Sequence, residues 1–351
     1  NKQSKLEDFQ KAEQLLLNES GAGNVLAIQD LGKLYSTDKL GEKDEKKSFS
    51  FYEEAFQGFM EIEPDSDFMF PYEPKYKGQI MKPVNMRSYV WYRIGKMHCY
   101  GLGTEQDYAQ SFEWFLKSAH EGNKFAQYSL ANLYYYGNGV EKDLSQAFWW
   151  YRKSSEQGQP YASYAVAQMY SKGEYVAENK ETAQRYYKAA LSGFLELESK
   201  DQADDNLYYK LGAMYKNGLG TEIDIPKAIE YFEKSTENMW STYQLSRLYL
   251  FGAEELEKDK EKAVEWLTKS ANDGNEYAQN MLDNMAQFEN TILANTIFAL
   301  FANLCKCIED DYTQKYKSVR HTVDSRLRRM IRQKKQSFGI KDEQSQSYEQ
   351  S

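Results

Sequence analysis

Cysteine, histidine and proline are all scarce in this chain. Three Cys (Cys99, Cys305 and Cys307) in 351 residues do not make a disulfide framework, which points to a reducing compartment and predicts a cytoplasmic protein. Cys305 and Cys307 form one close pair with no second pair and no nearby His, so no zinc site is expected. His98, His120 and His321 are scattered, and no metal, cofactor or acid–base pair is expected. His98 and Cys99 adjoin, but neighbours on a helix point about 100° apart and cannot serve each other as base and nucleophile. Four of the six Pro fall within 64–87, which marks that segment as irregular or extended. Long apolar runs are also missing. The uncharged run Thr291–Cys305 has 15 residues, short of the roughly 20 that a membrane span needs. It reads as a buried helix closing one end of the fold. No signal peptide opens the chain, and Asn1 is what a fragment or processed product would show.

Aromatic residues, by contrast, are plentiful: 29 Tyr and 18 Phe are available to fill a core. The net charge of −9 is unevenly spread. Residues after 314 hold ten Lys/Arg against four Asp/Glu, a net of +6, which leaves −15 on residues 1–314. An acidic body disfavours nonspecific nucleic-acid binding along its length.

Six times an Asp or Asn follows, 13 or 14 residues later, an aliphatic residue near the end of one helical pattern, and begins the next. The pairs are Leu31/Asp44, Ile94/Asp107, Leu130/Asp143, Val166/Asn179, Leu211/Asp224 and Leu245/Asp259. Successive caps lie 63, 36, 36, 45 and 35 residues apart, the two long gaps being one period plus an insertion. A fixed period in this range means stacked helical units, none of which buries its apolar face alone.

The third unit is the clearest. Its first helix (helix A) is predicted over about Phe125–Tyr136, with Ala126, Leu130, Ala131 and Tyr134 on one face. Small Ala131 would let a neighbouring helix approach closely. Gly137 suits the left-handed position that ends a helix. Asp143 caps the second helix (helix B), with Gln146 three residues on, and Ala147, Trp150 and Tyr151 continue the buried stripe. The glycine pairs in these turns follow helices rather than strands and lack the Lys-Ser/Thr of a phosphate-binding loop. The first and fourth turns, Thr37-Asp-Lys-Leu-Gly-Glu-Lys-Asp44 and Gly173-Glu-Tyr-Val-Ala-Glu-Asn179, depart most from the pattern.

This pattern, Ala-x-x-x-Leu-Gly-x-x-Tyr-x-x-Gly-x-Gly-Val-x-x-Asp-x-x-x-Ala-x-x-Trp, resembles the Sel-one-like subfamily of tetratricopeptide-type repeats over residues 24–60 and 88–280. The resemblance implies an all-α fold: a right-handed α-solenoid of about six helix-turn-helix repeats, here with a C-terminal helical cap and a basic tail. It also implies a non-catalytic scaffold for protein contacts. The chain then divides into an N-terminal helix (1–22), repeat 1 (23–63), a Pro- and aromatic-rich insertion (64–87), repeats 2–6 with the start of a seventh (88–280), a closing helix (281–314), a basic helix (315–340) and a disordered tail (341–351).

Repeats 1 and 4 end alike. Ala55-x-x-Gly-Phe-x-Glu-x-Glu63 recurs as Ala190-x-x-Gly-Phe-x-Glu-x-Glu198, 135 residues later, and an insertion follows each. Repeats 1–3 and 4–6 therefore read as two copies of a three-repeat block. Near the C-terminus, Arg326, Arg328, Arg329, Arg332, Lys334 and Lys335 cluster on a short amphipathic pattern with no acidic residue among them. These helix ends, with Asp324-x-x-Leu-Arg-Arg-x-Ile-x-x-Lys-Lys-x-x-x-Gly339, resemble the C-terminal region of relaxases from mobile elements of Gram-positive bacteria. That resemblance implies an accessory region of a conjugative enzyme whose nuclease domain lies upstream. The alternative is a freestanding Sel-one-like adaptor in signalling, secretion or host contact.

Two residues before the helix A aliphatic stand Tyr92, Tyr128, Tyr164, Tyr209 and Tyr243. By the resemblance to tetratricopeptide arrays this position lines a concave groove, where Tyr suits capture of a protein or peptide. Helix–helix packing within each repeat is the other reading. At the basic tail the expected partner is nucleic acid or an acidic protein, with closure of the array as the rival.

Overall fold

The computed structural model describes residues 2–62 and 86–288, apart from positions 38, 201, 236, 254 and 255. The expected insertion (all but its last two residues), most of the closing helix, the basic helix with its six-residue Arg/Lys cluster, and the tail lie outside the described residues. An N-terminal helix, α1 (Lys2–Gly21), precedes the helix pairs. The A and B helices pair as α2 (Val25–Tyr35) with α3 (Glu45–Ile62), α4 (Met86–Tyr100) with α5 (Tyr108–His120), and α6 (Lys124–Tyr136) with α7 (Leu144–Glu156). There follow α8 (Pro160–Lys172) with α9 (Lys180–Ser199), α10 (Asp205–Asn217) with α11 (Ile225–Lys234), and α12 (Met239–Phe251) with α13 (Lys260–Asn272). A further A-type helix, α14 (Glu276–Phe288), comes last. Among the described residues there is no strand, only an isolated bridge between Ala253 and Leu256. Each helix packs chiefly on its neighbours in sequence, which makes the fold an α-solenoid of about six repeats.

The predicted caps form. The side chains of Asp107, Asp143, Asn179, Asp224 and Asp259 each accept a backbone N–H from the first turn of helix B, and Asp44 accepts the Lys47 N–H at 3.0 Å. These bonds satisfy donors that a helix start leaves without partners. The backbone N–H of each cap residue also donates to helix A, four residues past its aliphatic. The six acceptors are the carbonyls of Tyr35, His98, Tyr134, Tyr170, Tyr215 and Tyr249, at 2.8–3.0 Å. Both ends of every turn are thus pinned at the same register.

The core follows one template. The helix A aliphatics Leu31, Ile94, Leu130, Val166, Leu211 and Leu245 are all 0% exposed. Leu or Met three residues later (Leu34, Met97, Leu133, Met169, Met214, Leu248) is buried as well. In the third repeat Leu133 therefore takes the core place expected of Tyr134, whose longer side chain stays half-buried against Phe112. The residue after the aliphatic faces a helix B side chain and is small for that reason. A Cβ on Gly95 would lie 2.6 Å from the Phe115 ring, and one on Gly212 2.6 Å from Phe232. Buried Ala131 occupies the matching place in repeat 3.

Helix B length is set by one position, eleven residues after its cap. Ser118, Ser154, Ser235 and Ser270 occur there, each 0% exposed. Their hydroxyls donate to the carbonyls of Ser88, Lys124, Asp205 and Met239, at 2.5, 2.6, 2.6 and 2.7 Å, near the start of helix A in the same repeat. Repeats 1 and 4 have Ala55 and Ala190 instead, and there helix B runs on as α3 (18 residues) and α9 (20 residues). The shared Gly-Phe explains how. Gly58 meets Val25 and Gly193 meets Pro160, where an added Cβ would sit at 2.7 Å, while Phe59 and Phe194 are 0% exposed.

Candidate partner-binding face

Side chains join each A helix to the next in an unbroken row. Arg93 on α4 donates from Nη1 to Gln29 Oε1 on α2 at 2.6 Å. The rings of Tyr92 and Phe125 lie 5.8 Å apart, joining α4 to α6, and those of Tyr128 and Tyr161 lie 6.0 Å apart, joining α6 to α8. Lys210 on α10 places Nζ 4.7 Å from the Tyr164 ring centre on α8. Lys216 Nζ bonds Gln244 Oε1, joining α10 to α12. Trp240 and Tyr277, 6.0 Å apart, join α12 to α14.

Four of the five predicted tyrosines are half-buried on this row. Each also leans on the ring eight residues past the cap in its own repeat: Tyr92 on Phe115 at 5.9 Å, Tyr128 on Tyr151 at 5.8 Å, Tyr164 on Tyr187 at 5.4 Å and Tyr209 on Phe232 at 6.1 Å. Their rings thus serve intra-repeat packing and retain partial exposure. Burial pushes the phenols of Tyr92, Tyr128 and Tyr164 upward. Tyr243 differs: it is 5% exposed, and Leu267 replaces the partner ring.

Cations on this face escaped the reading of single repeats. Aligned on the helix A aliphatic, the positions one before and two or five after it carry Lys33, Arg93, Lys96, Lys210, Lys216 and Arg247 in repeats 1–6, with Asp30 the one acid at those positions. Burial, with Arg93 and Lys33 nearby, lowers the Lys96 ammonium to about 8. Burial lowers Lys210 to about 8 as well, opposed by Asp204.

His98 and Cys99 diverge, as the helix geometry requires. His98 meets Phe56 edge-on at 5.2 Å. Cys99 is buried, and burial raises its thiol to about 11, with Ser111 and Lys96 pulling the other way. A thiol so placed is a poor nucleophile at neutral pH. Among the described residues no three His, Cys, Asp or Glu converge into a metal-holding set, and no helix is long and apolar enough to cross a membrane.

The Sel1 repeat model matches residues 25–58, 92–123, 124–159, 160–193, 207–238 and 241–275, more than half of the chain. The chain belongs to the Sel1 repeat family, whose members generally act as protein-interaction scaffolds and whose fold is typically non-catalytic. It is similar to Sel1-repeat-containing protein YjcO of Escherichia coli (strain K12), with 34% identity over 103 residues, 27% of this chain and 44% of that protein. YjcO of Shigella flexneri matches with the same identity and coverage. The chain spans less than half the length of these curated relatives. Among solved structures it is similar to a Sel1 repeat protein from Oxalobacter formigenes (24% identity, 66% of this chain and 82% of that one, TM-score 0.46). It is also similar to c5321, a protective antigen of uropathogenic Escherichia coli (23% identity, 78% and 67%, TM-score 0.37).

Proposed function

We propose that the helix A row is the inner, partner-binding surface of a scaffold that holds an extended segment of another protein. The observation that carries this is the continuity of the row: six successive A-to-A side-chain contacts join seven helices, with half-buried aromatic rings along it. Such rings offer apolar area and polar edges at low entropic cost. The test is selection from a displayed peptide library, with Phe125→Glu as the comparison. Phe125 is 42% exposed on the row, so the change leaves the core intact. Selected peptides should lose at least about tenfold in affinity for the variant, the range expected when an interface anchor is replaced by a charge. Equal binding by both proteins would remove the row as the site.

The finer reading places this scaffold as the accessory region of a conjugative relaxase. It rests on the helix ends Gly58-Phe59 and Gly193-Phe194 and on the Asp324–Gly339 motif. An in-frame upstream nuclease domain with a His cluster would support it, and a gene without one would overturn it. The second reading is a freestanding adaptor, which needs nothing beyond the Sel1 repeats that the family model matches. In the relaxase reading the basic tail contacts DNA or docks on an acidic protein. The DNA version expects single-stranded DNA binding that falls steeply with salt, because each phosphate contact releases a counterion, and that is lost in a chain ending at Gln314. Equal, negligible binding by both chains would exclude it.

A further inference from the structure

The helix A row reverses the charge of the body that carries it. Residues 1–314 sum to −15, yet the aligned row positions hold six cations and one acid. The cations fall in two groups. Lys33, Arg93 and Lys96 stand on α2 and α4, and Lys210, Lys216 and Arg247 on α10 and α12. The intervening α6 and α8 place the neutral Ser129, Asn132, Ala165 and Gln168 at the matching positions, beside the rings of Tyr128, Tyr161 and Tyr164.

Lys96 and Lys210 matter most. Neither has an ion pair or hydrogen bond among the described residues. Their ammonium groups lie instead near aromatic rings, Lys96 5.9 Å from Tyr92 and from Tyr100, and Lys210 5.9 Å from Tyr161 and 4.7 Å from Tyr164. The charged groups around Lys96 are Arg93 and Lys33, both of its own sign. Near Lys210 the opposite charge comes from Asp204 at the start of α10. A part-desolvated cation without an anionic partner is costly to hold, and an incoming anion removes that cost.

We infer that the helix A row binds an extended peptide with acidic residues at both ends and an uncharged middle, one acidic end at Lys96 and Arg93 and the other at Lys210. The spacing follows from elementary geometry. Packed helices sit about 8–10 Å apart, and successive A helices meet through long side chains rather than in close backbone packing. Each step is therefore at least about 10 Å, and the three steps from α4 to α10 span roughly 30 Å or more, the reach of about nine or more extended residues at about 3.3 Å each. The uncharged centre crosses the Tyr128, Tyr161 and Tyr164 rings. The depressed ammonium groups fit this assignment, since a bound carboxylate would restore their usual range. The chain's own basic tail carries the same sign as the row.

This inference rests on the row being the partner-binding surface, and the experiment separates the two. The probe is a fluorescent peptide with Asp-Glu pairs flanking about nine Gly, Ser and Val residues, a length set by that reach. Controls carry the same residues with Asn-Gln at the ends, or with the four acids gathered in the centre. Binding is followed by anisotropy for the full chain, for Lys96→Met/Lys210→Met and for Lys96→Arg/Lys210→Arg. Met keeps the stem and removes a desolvated charge, so folding is retained, as circular dichroism verifies. The flanked peptide should bind best, lose about thirtyfold or more in the Met variant, as when one partner of a buried charge pair is removed, and keep most of its affinity in the Arg variant. Affinity should also fall as pH rises from 7 to about 9, through the lysine range, in the native chain but not in the Met variant. Equal binding of the Asn-Gln peptide, or no loss in the Met variant, overturns the inference. So does tighter, lysine-dependent binding of a single-stranded oligonucleotide. Library peptides that need Phe125 but carry no acids would leave the scaffold reading standing and sink this one alone.

Discussion

Gly139→Ala is expected to destabilise the array by about 2–5 kcal/mol, the sum of a left-handed backbone penalty and overpacking against a rigid neighbour. Gly139 has φ +70°, and a Cβ there would run into the carbonyl group of Tyr108 and the nitrogen of Ala109, at the start of helix B in the preceding repeat. Gly103 and Gly220 press on the preceding helix B in the same way, against Tyr52–Glu53 and Tyr187–Lys188. The neighbour cannot give, because the obstructing atoms are helical backbone. Gly158→Ala is the control. Its φ is similar, +75°, but it has nothing within 4 Å of an added Cβ, so it should show only the backbone part, about 1–2 kcal/mol. Urea melts followed by circular dichroism compare the two. Equal losses would mean that the turn does not press on the preceding repeat. Repeat 4 carries Tyr175 at this place with φ +65°. Its ring lies 5.7 Å from Phe148, and it is 59% exposed.

Leu130→Ala should cost about 2–5 kcal/mol, the lost transfer energy plus a cavity term. Leu130 is 0% exposed, in a cluster with Ala126, Ala131, Ala147 and Tyr151. Asp107→Ala removes only a cap that accepts the Ala109 and Gln110 N–H groups at 2.8 and 3.0 Å, a loss of about 1 kcal/mol. The two melts give the order. A larger loss from the cap than from the core would contradict the assignment of buried faces.

The period and the helix B caps were legible because each rests on local chemistry repeated at a fixed interval. Asp or Asn before an apolar pattern has one common use, and the structure puts it to that use at six turns. Side-chain length blurred the buried stripe: Tyr134 and Leu133 are both apolar and adjacent, and only packing against helix B decides between them. The caps of helix A, among them Asn24, Asn123 and Asn238, vary more in type, with Gln159 and Asp204 in the same role. The serine that stops helix B was hidden for another reason. Serine within a helix is usually unremarkable, and its role appears only when Ser118, Ser154, Ser235 and Ser270 are set against Ala55 and Ala190. The tyrosine ladder was visible because one residue type recurs. The cations were not, since Lys96 and Lys210 occupy different registers, two after and one before the aliphatic, and meet on one face only when the helices are stacked.

The sixth turn has one more residue between aliphatic and cap than the other five, yet Asp259 N–H still reaches the Tyr249 carbonyl at 2.8 Å. The surplus is taken up beyond Gly252, where Ala253 and Leu256 bond each other's backbone at 3.0 and 3.1 Å. The extra residue sits as slack between two fixed anchors, the Gly252 N–H on the Leu248 carbonyl and the Asp259 N–H on the Tyr249 carbonyl. This turn thus absorbs an extra residue while the register of the two helices it joins stays that of the other five turns.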